Sequence, residues 1–248
     1  MLLPKPADAV HKAWLYTVLT EIADDVFLSS VLRFKGGTCA SMLGWLDRFS
    51  VDLDFDLIDE TKVKEVRKSL EKIFKKLGLE IKDQSTKVPQ YFLKYPSGSG
   101  ANAKQKTRNT LKLDITFPPE KFNDYEPFRF KDIDRVLLCQ TAPSMFANKL
   151  IAAIERFEKN GAIAGRDLFD IHTFFMNGVP YKSEIIEDRR KTDVRSFLKE
   201  LKTFIEEKVT QTVLDQDLNM LLPPDRFQRI RKLIKPQILT FLEEEIKR

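Results

Sequence analysis

The sequence predicts an α/β or α+β core with a mixed sheet over residues 1–140, followed by a helical domain over residues 141–248. Three patterns carry that expectation. Helix, strand, helix and three further strands follow one another up to about residue 118, an order that builds a mixed sheet flanked by helices. Val51-Asp52-Leu53-Asp54-Phe55-Asp56-Leu57 alternates apolar and acidic residues with period two, as a strand with one buried face does. From Ser144 onward the apolar residues recur at helical spacing instead.

The elements follow in order. Val10, Trp14, Val18 and Ile22 are spaced by four, so residues 7–22 read as an amphipathic helix. A short apolar segment, 26–34, leads into Lys35-Gly36-Gly37-Thr38, and a helix opens over 38–46. Val63, Val66, Leu70, Ile73, Phe74 and Leu77 share one face of a helix over 61–77, which Gly78 stops. Segments 79–85, 89–95 and 110–117 are strand-like and separated by turn-rich stretches. In the second half, 144–157, 166–175, 193–209 and 227–246 carry helical periodicity, punctuated by Pro223-Pro224 and Pro236.

Composition narrows the function classes. The chain has 248 residues, 42 Lys plus Arg against 37 Asp plus Glu, and 42% hydrophobic residues, enough to bury a core without staples. No apolar run approaches the roughly 18 residues that span a bilayer, and the first residues show no secretory pattern, so a soluble cytoplasmic protein with no membrane partner is expected. Cys39 and Cys139 are too far apart in sequence to read as a disulfide framework or zinc knuckle. Two histidines, His11 and His172, leave no basis for a multi-histidine metal site.

The alternating strand is the most informative segment. It puts Asp52, Asp54 and Asp56 on one face, with neighbouring carboxylates roughly 6–7 Å apart. Two such charges at about 6 Å and an effective dielectric near 20 repel by about 2.8 kcal/mol. A divalent cation offsets that repulsion; a solvated edge strand would simply tolerate it. Ahead of the acids, Gly36 and Gly37 permit close backbone approach to a ligand at a helix start that favours phosphate. Behind them, Asp114 stands among apolar residues in Leu111-Lys112-Leu113-Asp114-Ile115-Thr116-Phe117, where it needs a metal or a neighbouring cation as partner. Gly-Gly, then Asp-x-Asp on a strand, then a third Asp on a later strand is the set that two-metal phosphoryl transfer requires.

This spacing resembles the polymerase β-like nucleotidyltransferase superfamily. Lys35-Gly36-Gly37-Thr38, then Arg48-Phe49-Ser50-Val51-Asp52-Leu53-Asp54-Phe55, then Lys149 with Arg166-Asp167-Leu168-Phe169-Asp170, resemble the AbiEii/AbiGii toxin family of nucleotidyltransferases. The resemblance implies an α+β nucleotidyltransferase fold: a mixed sheet with flanking helices, then a C-terminal helical domain. It implies that Asp52, Asp54 and Asp114 bind two Mg²⁺ ions, with Mn²⁺ as the substitute, and that Asp114 helps deprotonate the nucleophile. Lys35, Gly36, Gly37, Thr38, Arg48 and Ser50 would hold the nucleotide, and Lys149, Asp167 and Asp170 would complete the site. Such an enzyme would move NMP from an NTP to an acceptor hydroxyl, RNA or tRNA, as the toxin of a toxin–antitoxin pair with a separate antitoxin protein. Read without the resemblance, Lys149 is equally a surface lysine, and Asp167 with Asp170 an ion pair beside Arg166.

Residues 84–113 hold Lys87, Lys94, Lys104, Lys106, Arg108 and Lys112 but no acid, interleaved with Tyr91, Phe92 and Tyr95. Cations and exposed rings beside the strand of Asp114 suit single-stranded nucleic acid; a lysine-rich hairpin edge is the alternative. Two other classes stay open at this stage: a non-catalytic nucleotide- or RNA-binding regulator that keeps the fold, and an interaction protein using its C-terminal helices.

Overall fold

The structure, a computed structural model, describes residues 1–96 and 108–248. The first half contributes helices α1 (Asp8–Asp24), α2 (Val26–Val31), α3 (Gly36–Met42) and α4 (Val63–Lys76). Its strands are β1 (Leu32–Lys35), β2 (Asp52–Leu57), β3 (Glu80–Gln84), β4 (Gln90–Lys94), β5 (Thr110–Thr116), β6 (Tyr125–Phe130) and β7 (Arg135–Gln140). They form one sheet in the order β3-β4-β5-β2-β1-β7-β6. The pairs β1/β7 and β2/β5 are parallel and the others antiparallel, so the sheet is mixed, as expected. After residue 141 the chain is helical: α5 (Ala142–Asn160), α6 (Gly165–Met176), α7 (Ser183–Arg190), α8 (Val194–Lys208), α9 (Gln211–Leu218), α10 (Pro224–Ile230) and α11 (Ile234–Lys247).

Strand alternation decides the two faces of the sheet. Leu53, Phe55 and Leu57 of β2 join Leu111, Leu113 and Ile115 of β5 in the buried core, beneath α1 and α4. Phe74 of α4 meets Tyr91 of β4 edge to face at 5.1 Å, and Trp14 of α1 stacks on Tyr95 at 5.5 Å. His11 of α1 is buried; its Nε2 donates to Val51 O at 2.9 Å, which pins the chain one residue before Asp52. Burial holds the His11 imidazole below its ordinary pKa, keeping it neutral in that apolar layer. The opposite sheet face carries the acids and looks toward the C-terminal helices.

Several elements depart from the pattern read in the sequence. Segment 26–34 divides into α2 and β1. The β6–β7 hairpin was not anticipated: Pro127 interrupts the strand pattern, and β6 accommodates it because it is the last strand of the sheet. The continuous helix expected over 227–246 is two helices, α10 and α11, and Pro236 lies in the first turn of α11, where no intrahelical donor is lost. The short helices α7 and α9 carry too few apolar residues to stand out by periodicity.

A buried ion pair ties the sheet to the helices. Arg48, between α3 and β2, is 2% exposed and clasps Asp170 of α6, Nε to Oδ1 at 2.6 Å and Nη2 to Oδ2 at 2.7 Å. Its Nη1 donates to Phe49 O at 2.9 Å, so each guanidinium nitrogen has a partner. Removing one member leaves the other charge buried and unpaired. Asp170→Asn is therefore expected to lower unfolding free energy by about 3–5 kcal/mol, read as a urea midpoint. The double variant Arg48→Met, Asp170→Leu should recover most of that loss.

Candidate active site

Register places the expected residues in one row across the sheet. Lys35 of β1 lies opposite Asp54 of β2, Asp54 opposite Asp114 of β5, and Asp114 opposite Gln90 of β4. The pairing of Phe34 with Cys139 puts the next residue of β7, Gln140, on the far side of Lys35. Lys35, Asp54, Asp114 and Gln140 of this row line a cavity of about 560 Å³ between the sheet and the helices, within the size range of small-molecule sites.

The three acids of β2 have different surroundings. Asp56 is saturated: Lys35 Nζ approaches its Oδ1 to 2.5 Å, while Tyr125 OH at 2.8 Å and Asn123 Nδ2 at 3.3 Å donate to Oδ2. Asp54 is acted on by burial first and then by the charge of Asp52, with Asp114 adding to it. Together these outweigh Lys35 and push the Asp54 carboxyl up to about 6. Asp114 keeps a local partner: its Oδ2 accepts from Lys112 Nζ at 2.6 Å and Gln90 Nε2 at 3.0 Å. The expected three-acid metal cage is thus not gathered as it stands. Among the described residues no three His, Cys, Asp or Glu side chains cluster to hold an ion, because Lys112, on the same strand face, draws Asp114 toward itself.

The glycine pair is required by close packing. Gly36 has φ +77, and a Cβ there would lie 2.5 Å from Asp54 Oδ2; a Cβ on Gly37 would lie 2.5 Å from Arg48 Nη2. Protein side chains therefore occupy the space that the sequence reading reserved for ligand approach, although both glycines still line the cavity. Thr38 does not. It is buried, and its hydroxyl donates to Asp52 O, so it positions β2 and is no ligand of the cavity.

The helical wall supplies positive charge. Lys149 of α5 reaches Asp167 Oδ1 at 2.7 Å and Asp170 Oδ2 at 3.0 Å, and Arg156, two turns further along α5, reaches Asp167 Oδ2 at 3.0 Å. Lys149 is thus no free surface lysine, and the acids of α6 pair across elements, not within their own helix. Burial opposes ionisation of Asp167, but Lys149 and Arg156 outweigh it and hold its carboxyl well below the usual range. Burial likewise disfavours the Lys149 ammonium, and Asp167 and Asp170 raise it all the same. Three cations, Arg48, Lys149 and Arg156, face two carboxylates, so the cluster keeps a net positive charge. Asp170 itself is 0% exposed and sits behind the wall, holding Arg48 and Lys149 in place.

Over residues 17–242 the chain matches the family described as nucleotidyl transferase AbiEii toxin, type IV TA system. The chain belongs to that family. Its fold agrees with two Helicobacter pylori structures. One, assigned as a nucleotidyltransferase, has a TM-score of 0.63 at 18% identity and covers 98% of this chain and 96% of its own. The other, JHP933, has a TM-score of 0.56 at 20% identity, covering 99% and 94%. No curated protein matches the sequence. Family membership makes this chain a nucleotidyltransferase of a toxin–antitoxin system, with a nucleotide substrate and an antitoxin partner. Among the described residues no helix is long and apolar enough to cross a membrane.

The AbiEii-type motifs converge on the cavity: Lys35, Gly36, Gly37, Arg48, Ser50, Asp52, Asp54, Asp114, Lys149 and Asp167 all border it. Among the described residues of the basic aromatic flank, Lys112 borders the cavity and the others do not. Tyr91 and Tyr95 are 0% and 2% exposed, because alternation along β4 turns them into the core and leaves only Phe92 on the outer face. Lys94 pairs with Glu80 at 3.3 Å, and Arg108 lies 4.0 Å from Asp8, acids from outside the window whose charge was counted. Lys104 and Lys106 lie outside the described residues. Sequence reading missed Arg156 and Gln140 as wall residues and placed Lys112 only in the basic flank. Arg156 was readable, seven residues after Lys149 on the same helix face; the others depend on sheet register.

The raised pKa of Asp54 has a signed consequence in cation-free protein. The unfolded chain releases this proton near pH 3.8 and the native state near 6, so the stability that the protonated form contributes is complete below about pH 4 and lost as pH rises through 6. The loss amounts to roughly 3 kcal/mol. Asp54→Asn should therefore exceed the wild type in stability at pH 7 by up to that amount and match it at pH 3.5, measured by chemical denaturation without divalent cations.

Proposed function

We propose that this protein transfers NMP from an NTP to an acceptor hydroxyl, releases pyrophosphate, and takes RNA, tRNA included, as acceptor in the cytoplasm. The observation that carries the reading is Asp54: a half-buried carboxylate flanked by Asp52 and Asp114, at a cavity whose facing wall is cationic. The donor set of Asp52 and Asp54 is hard oxygen, which fits Mg²⁺ or Mn²⁺. These two acids would hold the ions, which would supply charge to the phosphate oxygens and acidify the attacking hydroxyl, while Asp114 stays with Lys112 beside them.

The chain's own groups do the rest. Asp167 and Asp170 hold the Lys149 ammonium in place at the cavity, where it meets phosphate oxygens as a fixed point charge. Lys35 stays on Asp56 and tempers the charge of Asp54 from the neighbouring strand. A polyanionic acceptor is supported by Lys159 and Arg166 on the cavity wall, for whose side chains the described residues form no ion pair. Those two, not Lys94 and Arg108, are the cations this reading assigns to the acceptor.

Purified protein incubated with labelled NTPs, Mg²⁺ and total RNA should transfer label to RNA, and Asp52→Ala should reduce the rate by about a hundredfold or more. Equal transfer by wild type and Asp52→Ala would overturn the assignment. Reversing both charges, Lys159→Glu with Arg166→Glu, should weaken use of RNA and steepen no salt dependence, since phosphate contacts are lost.

A further inference from the structure

One buried amide on the cavity wall has no part in the transfer chemistry. Gln140, at the end of β7, is 3% exposed and borders the cavity. Its carboxamide has no hydrogen-bond partner among the described residues. It is also absent from their sealed, unsatisfied polar atoms, which are Ser41 Oγ and His172 Nδ1, so it opens into the cavity. Buried amides are ordinarily satisfied, and an open one facing a binding cavity awaits a ligand group. The polar neighbours are already committed. Lys35 and Tyr125 bond Asp56; Asn123 bonds Asp56 and accepts from Asn148.

The surroundings restrict what that group is. Gln140 stands two strands from Asp54, about 10 Å at ordinary strand spacing. A ribose bridges such a gap between a phosphate held at the acids and its base. Two apolar residues border the same cavity: Met145, in the first turn of α5 shortly after Gln140, and Ala40 of α3, whose chain neighbour Cys39 lies beside Cys139 of β7. A planar carboxamide offers one donor edge and one acceptor, the complement of the adjacent acceptor and donor on a nucleobase, whereas a phosphate would use only its donors. We propose that Gln140 recognises the nucleobase of the incoming nucleotide and sets which NTP is used. This inference rests on the NTP-dependent transfer proposed above.

Equilibrium binding of each of the four NTPs with Mg²⁺ to the full chain tests it, with inorganic triphosphate as a probe that has no base. Wild type should prefer one NTP by about tenfold or more, and Gln140→Leu should bring the four to within about twofold while triphosphate affinity stays unchanged. Gln140→Glu, which keeps the acceptor and loses the N–H donors, should weaken the preferred NTP by about tenfold. A preference kept in Gln140→Leu, or equal binding of all four NTPs by wild type, overturns the inference and leaves the transfer reading standing. Failure of wild type to bind any NTP overturns both. Should both variants fail to fold by melting curve, the amide is a structural group and the inference is likewise overturned.

Discussion

A half-buried carboxylate with like charges on two sides is the constraint around which this molecule is arranged. Asp54 meets Asp52 along its own strand and Asp114 across the parallel neighbour, and the fold places no neutralising contact on it beyond the influence of Lys35 and Lys149. Such a site is unfavourable in isolation and persists only where the rest of the structure holds it. The inward face of β2 does much of that holding, since Leu53, Phe55 and Leu57 are each at most 1% exposed. The strand cannot slip by one residue without exposing all three and burying the acids. Gly36 completes the arrangement, because any side chain there would collide with the Asp54 carboxylate.

The helical half answers that negative wall with a positive one. Arg48–Asp170 and Lys149–Asp167–Arg156 form a connected network across α5, α6 and the segment before β2, with one more cation than anion. Its members fix one another's positions, so Lys149 is held by buried acids and not by a flexible stem alone. The cavity thus has carboxylates on one side and ammonium and guanidinium groups on the other, the setting for the phosphate-bearing substrate of the nucleotidyltransferase that the AbiEii family assignment makes of this chain.

The flank at residues 84–113 shows, at its described residues, what a local charge count leaves out. It is free of acids in sequence, yet Glu80 arrives from the adjacent strand and Asp8 from α1. Its aromatic residues looked available as stacking platforms, yet the same alternation that revealed β2 sends Tyr91 and Tyr95 inward, against Phe74 and Trp14. Lys159 and Arg166, at the end of α5 and the start of α6, border the cavity as well.

Periodicity was sufficient for the mixed sheet and the main helices, and spacing for the pairing of Gly36 and Gly37 with Asp52, Asp54 and Asp114, because a linear sequence records a two-residue or a helical repeat directly. Lys149 and Asp167 joined that set only through the resemblance of their motif to a family. Nothing linear records register or long-range pairing. Only the assembled sheet shows Asp56 consumed by Lys35 and Tyr125, Asp114 drawn to Lys112, and Gln140 left with an open amide beside them. Likewise Arg48 and Asp170 lie far apart in sequence, and the burial that makes them a clamp arises when α6 closes over the loop before β2. Which polar groups end up satisfied, and which remain to bind, is settled by that three-dimensional accounting of donors and acceptors.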